Sequence, residues 1–337
     1  MHRSKATLAA LLTTAALLMV AAAPVSAASP NAEAKAKAEH NRIIKYWTAE
    51  KIRNAKPRDF VRQPNGEFQA AKPGNPNAKP PGGGGGGTST GASWSGGGPV
   101  VQRTGKVLFT MGGGQYVCSA TVIQDGRSTH SLVMTAGHCA YDEVARAFAT
   151  NWLFIPSFDT APTFTCAQTT IGCWTATGLV VHSGYATAGG FNEQATYHDF
   201  AVAIVAGGGR TGTASQLDTA VGGGYPVSYP GISTGGSVHA FGYPAAGRYK
   251  GKDLTYCAGP TFNDNLNGNG TWGIACNMTG GSSGGPWFAN FTGTPSQNSL
   301  NSYGYSGLSN MYGPKFNSDT QAVVNAAATR TGNYIVP

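Results

Sequence analysis

Past its N-terminal segment this 337-residue chain has no apolar run long enough to cross a bilayer, no C-x-x-C pair, and no surplus of positive charge. Each absence removes a class of protein. Without a long apolar run there is no membrane span. With no C-x-x-C pair, and with His138 beside Cys139 lacking the usual spacing to further ligands, no metal site is expected. The net charge of +8 lies entirely in residues 1–100, which carry 13 Lys/Arg against 5 Asp/Glu, whereas residues 101–337 carry 10 of each. A neutral region lacks the electrostatic footprint that phosphate binding requires, so no nucleic-acid partner is expected. A serine elbow between a strand and a helix, the mark of many esterases, is also missing.

What is present begins with a basic "MHRSK", an apolar "ATLAALLTTAALLMVAAA" and the small-x-small pattern "VSA" before Ala28. Residues 1–27 therefore read as an export signal, in preference to an anchor because the run is alanine-rich and leads straight into a cleavage pattern. No membrane association is expected once that signal is removed. "NAEAKAKAEHNRIIKYWTAEKIRNAKP" is rich in helix formers and stops at Pro57. The following "QPNGEFQAAKPGNPNAKPPGGGGGGTSTGASWSGGG" offers little to bury and reads as a flexible linker. Residues 28–95 are thus expected to be a prosegment and tether, with the folded domain at 96–337. All six cysteines, Cys118, Cys139, Cys166, Cys173, Cys257 and Cys276, follow the seam. In an exported chain this suggests three disulfides. Many connectivities are open, and pairing neighbours in sequence is the simplest.

From Pro99 onward, short β-rich runs are punctuated by glycine: "KVLFT", "YVCSATVI", "SLVMTA", "WLFIP", "GLVVH", "FAVAIVA", "SVHAFGYP" and "YGYSGLS". Several alternate as strands with one buried face, and no long amphipathic helix interrupts them. The expectation is an all-β fold: a sandwich, one large barrel or two small ones. Near the end, "SDTQAVVNAAAT" predicts one helix capped by Ser318 or Asp319.

Three short stretches could carry chemistry. "GGSSGGPW", from Gly280, places two serines among four glycines. Glycine weakens helix and strand alike, so such a turn is either an ordinary surface loop or one whose bare backbone lets a substrate carbonyl reach N–H groups. "TAGHC" sets His138 beside a half-cystine that would hold its orientation, as a general base needs. "YHDFAVAIV" sets Asp199 at the head of an apolar strand, where a carboxylate needs a partner such as an imidazole N–H. Asp159 and Asp218 lie in polar, turn-like contexts and are expected to be solvated.

The order His138, Asp199, Ser283 and the wording of all three stretches resemble the chymotrypsin-like serine proteases over roughly residues 99–330. "VHAFGYP" and a non-acidic residue before the serine bring the secreted bacterial glutamyl-endopeptidase branch nearest. The resemblance implies two six-stranded antiparallel β-barrels with a C-terminal helix, peptide or protein substrates, no cofactor, and a monomer. It implies that Ser283 is the nucleophile, His138 its base and Asp199 the group orienting the imidazole. The N–H groups of Gly281 and Ser283 would form an oxyanion hole, with a side chain at 281 crowding the turn. "VCSATVI" before "TAGHC" singles out Cys118–Cys139 as a histidine-loop disulfide. The pocket base would fall at Asn277 and Met278, its walls at Ser302, Tyr303 and Gly304, and its rear near Asn310. None of these is acidic, so cleavage after Lys or Arg should be poor; Asn301 stands where the glutamyl branch tends to carry histidine. Ser282 replaces the aspartate that pairs with a newly freed N-terminus in the trypsin branch, so activation is expected to proceed by uncovering the cleft. A catalytically silent, secreted binding homologue is the alternative reading, and retention of all three catalytic residues argues against it.

Overall fold

A computed structural model describes residues 30–71, 89–126, 130–158, 166–210 and 216–337. The expected export signal and the hexaglycine run fall outside the described residues. Among those described, no helix is long and apolar enough to cross a membrane.

The β-rich runs of the first half become six antiparallel strands that close on themselves. Thr104–Met111 pairs with Gly114–Ile123 and Thr150–Pro156; Thr150–Pro156 continues to Trp174–His182, then Ala201–Val205, then Ser131–Thr135. Ser131–Thr135 returns to Gly114–Ile123 and closes the ring. The closure explains why Ser131–Thr135 and Ala201–Val205 are buried along their whole length: a barrel covers one face of each strand and neighbouring elements cover the other. Val107, Phe109, Val122, Val133, Phe154, Trp174, Leu179 and Ala203 share one face of the ring and fill it. Burying each large apolar side chain contributes about 1.5–3 kcal/mol.

The second half is built from two facing sheets. In one, Ser237–Gly242 pairs with Thr255–Pro260 and Pro286–Ala289, which in turn pairs with Ser296–Leu300. In the other, Thr271–Ala275 pairs with Phe262–Asn263 and Asn310–Pro314, and the latter meets Tyr303–Tyr305. Cys257–Cys276 ties the two sheets together. The other disulfides are Cys118–Cys139 and Cys166–Cys173, so all three join sequence neighbours. The terminal helix runs over Ser318–Thr329, packed on the first barrel; its cap is Asn317, one residue before the expected pair, whose Oδ1 accepts from Asp319 N at 2.9 Å.

The segment before residue 96 departs from a simple tether. Its helix is split into Pro30–Tyr46 and Ala49–Asn54, and Trp47 is buried against the first barrel with Nε1 donating to Asn151 O at 2.7 Å. Lys56–Pro57 lies parallel to Gly114–Ile123. Phe60–Arg62 and Phe68–Ala70 form a hairpin whose first strand adds, in parallel, to Tyr303–Tyr305. Ser89–Ser93, also expected in the linker, pairs with Thr255–Pro260 and belongs to the second half's sheet. A nearly apolar-free sequence can supply an edge strand because the ladder needs only its backbone.

Candidate active site

Strand Ser131–Thr135 runs into a single 3₁₀ turn, Gly137–Cys139, that carries His138. Cys139 staples this turn to the neighbouring strand through Cys118. Asp199 lies two residues ahead of strand Ala201–Val205, and the antiparallel pairing of that strand with Ser131–Thr135 brings the two residues together. The Asp199 carboxylate accepts from His138 N (Oδ1, 2.8 Å) and lies 2.8 Å from His138 Nδ1 (Oδ2). Both side chains are fully buried. A carboxylate at Nδ1 fixes the tautomer with the proton there, leaving Nε2 as an acceptor. Ser302 Oγ donates to Asp199 Oδ2 at 2.5 Å. The sequence reading gave Ser302 only a place in the pocket wall, and its short spacing to Ser283 carries no sign of this second contact.

Ser283 sits on the turn between strands Thr271–Ala275 and Pro286–Ala289, where the four glycines are used for space. Gly281 has φ +96°, and a Cβ there would fall 2.7 Å from Ala245 Cβ and 2.9 Å from Tyr243 O. At Gly284 (φ +81°) a Cβ would fall 2.2 Å from Thr135 Oγ1. The turn is braced from the first barrel by Ser119, whose N donates to Ser283 O at 2.7 Å and whose Oγ donates to Gly281 O at 2.8 Å. Asn301 braces it from the other side, with Nδ2 donating to Phe241 O at 2.8 Å and Ser282 O at 3.0 Å. Its Oδ1 accepts from Trp287 Nε1 at 2.7 Å, and it does not line the cavity beside Ser283. Ser282 Oγ turns away to donate to Thr279 O at 2.9 Å.

A cavity of about 160 Å³ opens beside Ser283 and is lined by all the residues expected there: Asn277, Met278, Ser302, Tyr303, Gly304 and Asn310. At its base, Asn277 Oδ1 accepts from Arg248 Nη2 at 3.0 Å and from the Tyr249 hydroxyl. Buried Asp264 holds the wall, accepting from Tyr303 Oη at 2.5 Å and Tyr305 Oη at 2.8 Å. Burial and that carboxylate push the Tyr303 hydroxyl well above its ordinary range, so it stays a neutral donor. Of the two carboxylates expected to be solvated, Asp218 is half-buried and accepts from Ser131 Oγ at 3.0 Å, and Asp159 lies outside the described residues.

Asp59 was given no role by the sequence. Its Oδ1 accepts from Ser283 Oγ and its Oδ2 accepts from Gly281 N at 3.0 Å. Burial pushes its carboxyl above the usual carboxylate range, an effect opposed by nearby His138 and by the hydrogen bonds from Ser283 and Gly281. His138 Nε2, buried, has no hydrogen-bond partner among the described residues. Phe60 stacks on Phe191 at 4.0 Å and meets the His138 ring edge-on at 5.6 Å. Arg58 donates to His138 O at 2.8 Å and reaches the buried Glu143 carboxylate at 3.3 Å, which also accepts from Tyr185 Oη at 2.8 Å.

No protein-family model matches the chain, and neither does any curated protein. Solved structures do. The thermostable serine protease AL20 from an extremophilic microorganism is 37% identical, matched over 69% of this chain and 100% of its own, with a TM-score of 0.59. Protease Anisep from Arthrobacter nicotinovorans is also 37% identical, over 68% of this chain and 96% of its own, at 0.58. A Glu endopeptidase shares the fold at 19% identity, over 72% of this chain and 97% of its own, at 0.54.

Proposed function

From the premise that the chain belongs to the chymotrypsin-like serine proteases, related to the glutamyl-endopeptidase branch, we propose that it is an exported endopeptidase made as a preproprotein. The observation that carries this reading is the buried His138–Asp199 contact beside a serine on a glycine turn. In the proposed reaction Ser283 Oγ attacks the scissile carbonyl carbon while His138 Nε2 takes its proton. The carbonyl oxygen becomes an oxyanion held by the N–H groups of Gly281 and Ser283. Collapse expels the amine, which leaves with the proton from the imidazolium, and an acyl-enzyme remains on Ser283. Water, deprotonated by His138, then releases the acid. Asp199, held by Ser302 and by His138 N, orients the imidazole and stabilises its cationic form.

Export and processing are supported by the N-terminal pattern, by three disulfides, and by relatives whose match leaves nearly a third of this chain uncovered. The pairing of Ser89–Ser93 into the second half's sheet supports processing ahead of it, within residues 72–88. The mature protein is expected to be monomeric. For the primary pocket, the reading is a preference for uncharged side chains before the scissile bond. Its walls from residue 89 onward carry no carboxylate, and Arg248 stands behind Asn277, so a lysine or arginine would be buried without a counter-charge.

A fluorophosphonate probe with peptide mapping tests the nucleophile. The secreted wild type and Ser282→Ala should be labelled at residue 283, while Ser283→Ala should be secreted, unlabelled and without peptidase activity. Equal loss in the two variants would reject Ser283, because only one of the hydroxyls is free to face His138.

A further inference from the structure

We propose that Lys56–Ala71 is an inhibitor of this chain's own peptidase site, with the Asp59 carboxylate standing where the reaction's oxyanion forms and drawing the Ser283 hydroxyl away from His138. The proposal rests on the peptidase reading above and adds what occupies the cleft and how it silences it. A carboxyl oxygen at the Gly281 N–H takes the donor intended for a developing negative charge. Its other oxygen takes the Ser283 hydroxyl, and His138 Nε2, which should receive that proton, is left without a partner among the described residues. The group presented to Ser283 is a side-chain carboxylate. It offers no amine to expel, so attack on it leads nowhere and the segment is not consumed.

The rest of the segment is built to hold that carboxylate in place. Phe60–Arg62 adds a strand in parallel to Tyr303–Tyr305, the wall against which a substrate backbone would lie. Ala71 N donates to Asp59 O at 2.7 Å, closing the hairpin over the site. Phe60 packs on both Phe191 and the His138 ring, which also meet each other edge-on, and Phe68 packs on Tyr303 at 5.3 Å. Arg58, on the far side of Asp59, enters a buried niche formed by Glu143 and Tyr185, while Lys56–Pro57 pairs with Tyr116 and Val117 of the first barrel. The fit is close: a Cβ on Gly280 would fall 2.4 Å from Asp59 Oδ2 and 2.7 Å from Pro57 Cβ. Pro57, Asp59, Phe60 and Val61 line the cavity beside Ser283 and leave about 160 Å³ of it unfilled, so the segment occupies the site without a side chain that fills the pocket. These anchors are non-covalent and precede residue 72. A cut within 72–88 therefore frees the chain but leaves the inhibitor seated, and activity requires its release or destruction.

The test uses the processed enzyme, secreted, cut within residues 72–88 and freed of its N-terminal fragment, with a synthetic peptide of residues 56–71 and the same peptide with Asp59→Ala or Asp59→Asn. The natural peptide should inhibit competitively and remain intact, and both variants should inhibit at least about tenfold more weakly, as expected for loss of a buried charge-assisted pair of hydrogen bonds. In parallel, the uncut chain should react with a fluorophosphonate much more slowly than the processed enzyme, and Asp59→Ala in the uncut chain should restore labelling. Equal inhibition by the three peptides, rapid cleavage of the natural peptide, or equal labelling of the uncut wild type and the enzyme freed of its N-terminal fragment would overturn the proposal. A processed enzyme that neither labels nor cleaves would overturn the peptidase reading and this inference with it. An active processed enzyme indifferent to the peptide would overturn the inference alone.

Discussion

Replacing Gly281 by alanine separates the two jobs proposed for the glycine turn at Ser283, its backbone shape and its N–H donor. The added methyl meets Ala245 Cβ at 2.7 Å, Ala245 N at 2.9 Å and Tyr243 O at 2.9 Å, at a residue whose φ of +96° suits glycine. Forcing a non-glycine residue into such a conformation costs roughly 1–3 kcal/mol, and overpacking against backbone that cannot yield costs a similar amount. Stability should therefore fall by about 2–5 kcal/mol, a drop in Tm of roughly 5–15 °C for a domain of this size. Relief of the clash has to move the 280–282 backbone, which carries the Gly281 N–H away from the oxyanion position. Loss of one such donor lowers kcat by about 10²–10³. Thermal unfolding and kcat/KM on a peptide substrate measure the two effects in the processed enzyme. Gly190→Ala is the control, because a Cβ there meets nothing within 4 Å and its φ is ordinary. Full activity in Gly281→Ala would refute the assignment of the oxyanion donor, and equal damage in Gly190→Ala would refute the steric reasoning.

Lys106 is buried and burial pulls its ammonium down to about 7. Between pH 7 and the ordinary lysine range the unfolded chain holds a proton that the folded chain lacks, so stability should rise with pH there by about 1.4 kcal/mol per unit. Lys106→Met should lose that slope, and parallel profiles in chemical unfolding from pH 7 to 9 would refute it. N-terminal sequencing of secreted protein should find starts between residues 72 and 89; a mature form beginning at Ala28 would show that the segment is retained. Profiling with a proteome-derived peptide library should find uncharged residues before the scissile bond, and dominant cleavage after Arg, Lys or Glu would mean that the pocket is misread.

Much of the first barrel was legible because its signals are local. Short apolar, β-branched runs such as "YVCSATVI" and "FAVAIVA" mark buried strands, and a helical spacing marks Ser318–Thr329 even though its cap was displaced by one residue. The motifs around His138, Asp199 and Ser283 were legible for a similar reason. Each needs a particular local backbone, a tight turn after a strand or a bare glycine turn, and that need is written in consecutive residues.

What the sequence by itself determined was therefore the all-β class, the simplest disulfide pairing and the local settings of His138, Asp199 and Ser283. Tertiary structure alone decided which distant groups meet. Ser302 and Asp199 are 103 residues apart, and Asp59 and Ser283 are 224 apart. Ser89–Ser93 became a strand without a strand's composition, because a sheet edge in the second half offered its backbone a ladder, and Phe68–Ala70 pairs with Phe60–Arg62, which lies on another such edge. No local propensity encodes such pairing. Its driving force lies in surface presented by chain folded elsewhere, and the segment "PRDFV" carries a meaning only once the cleft that it covers exists.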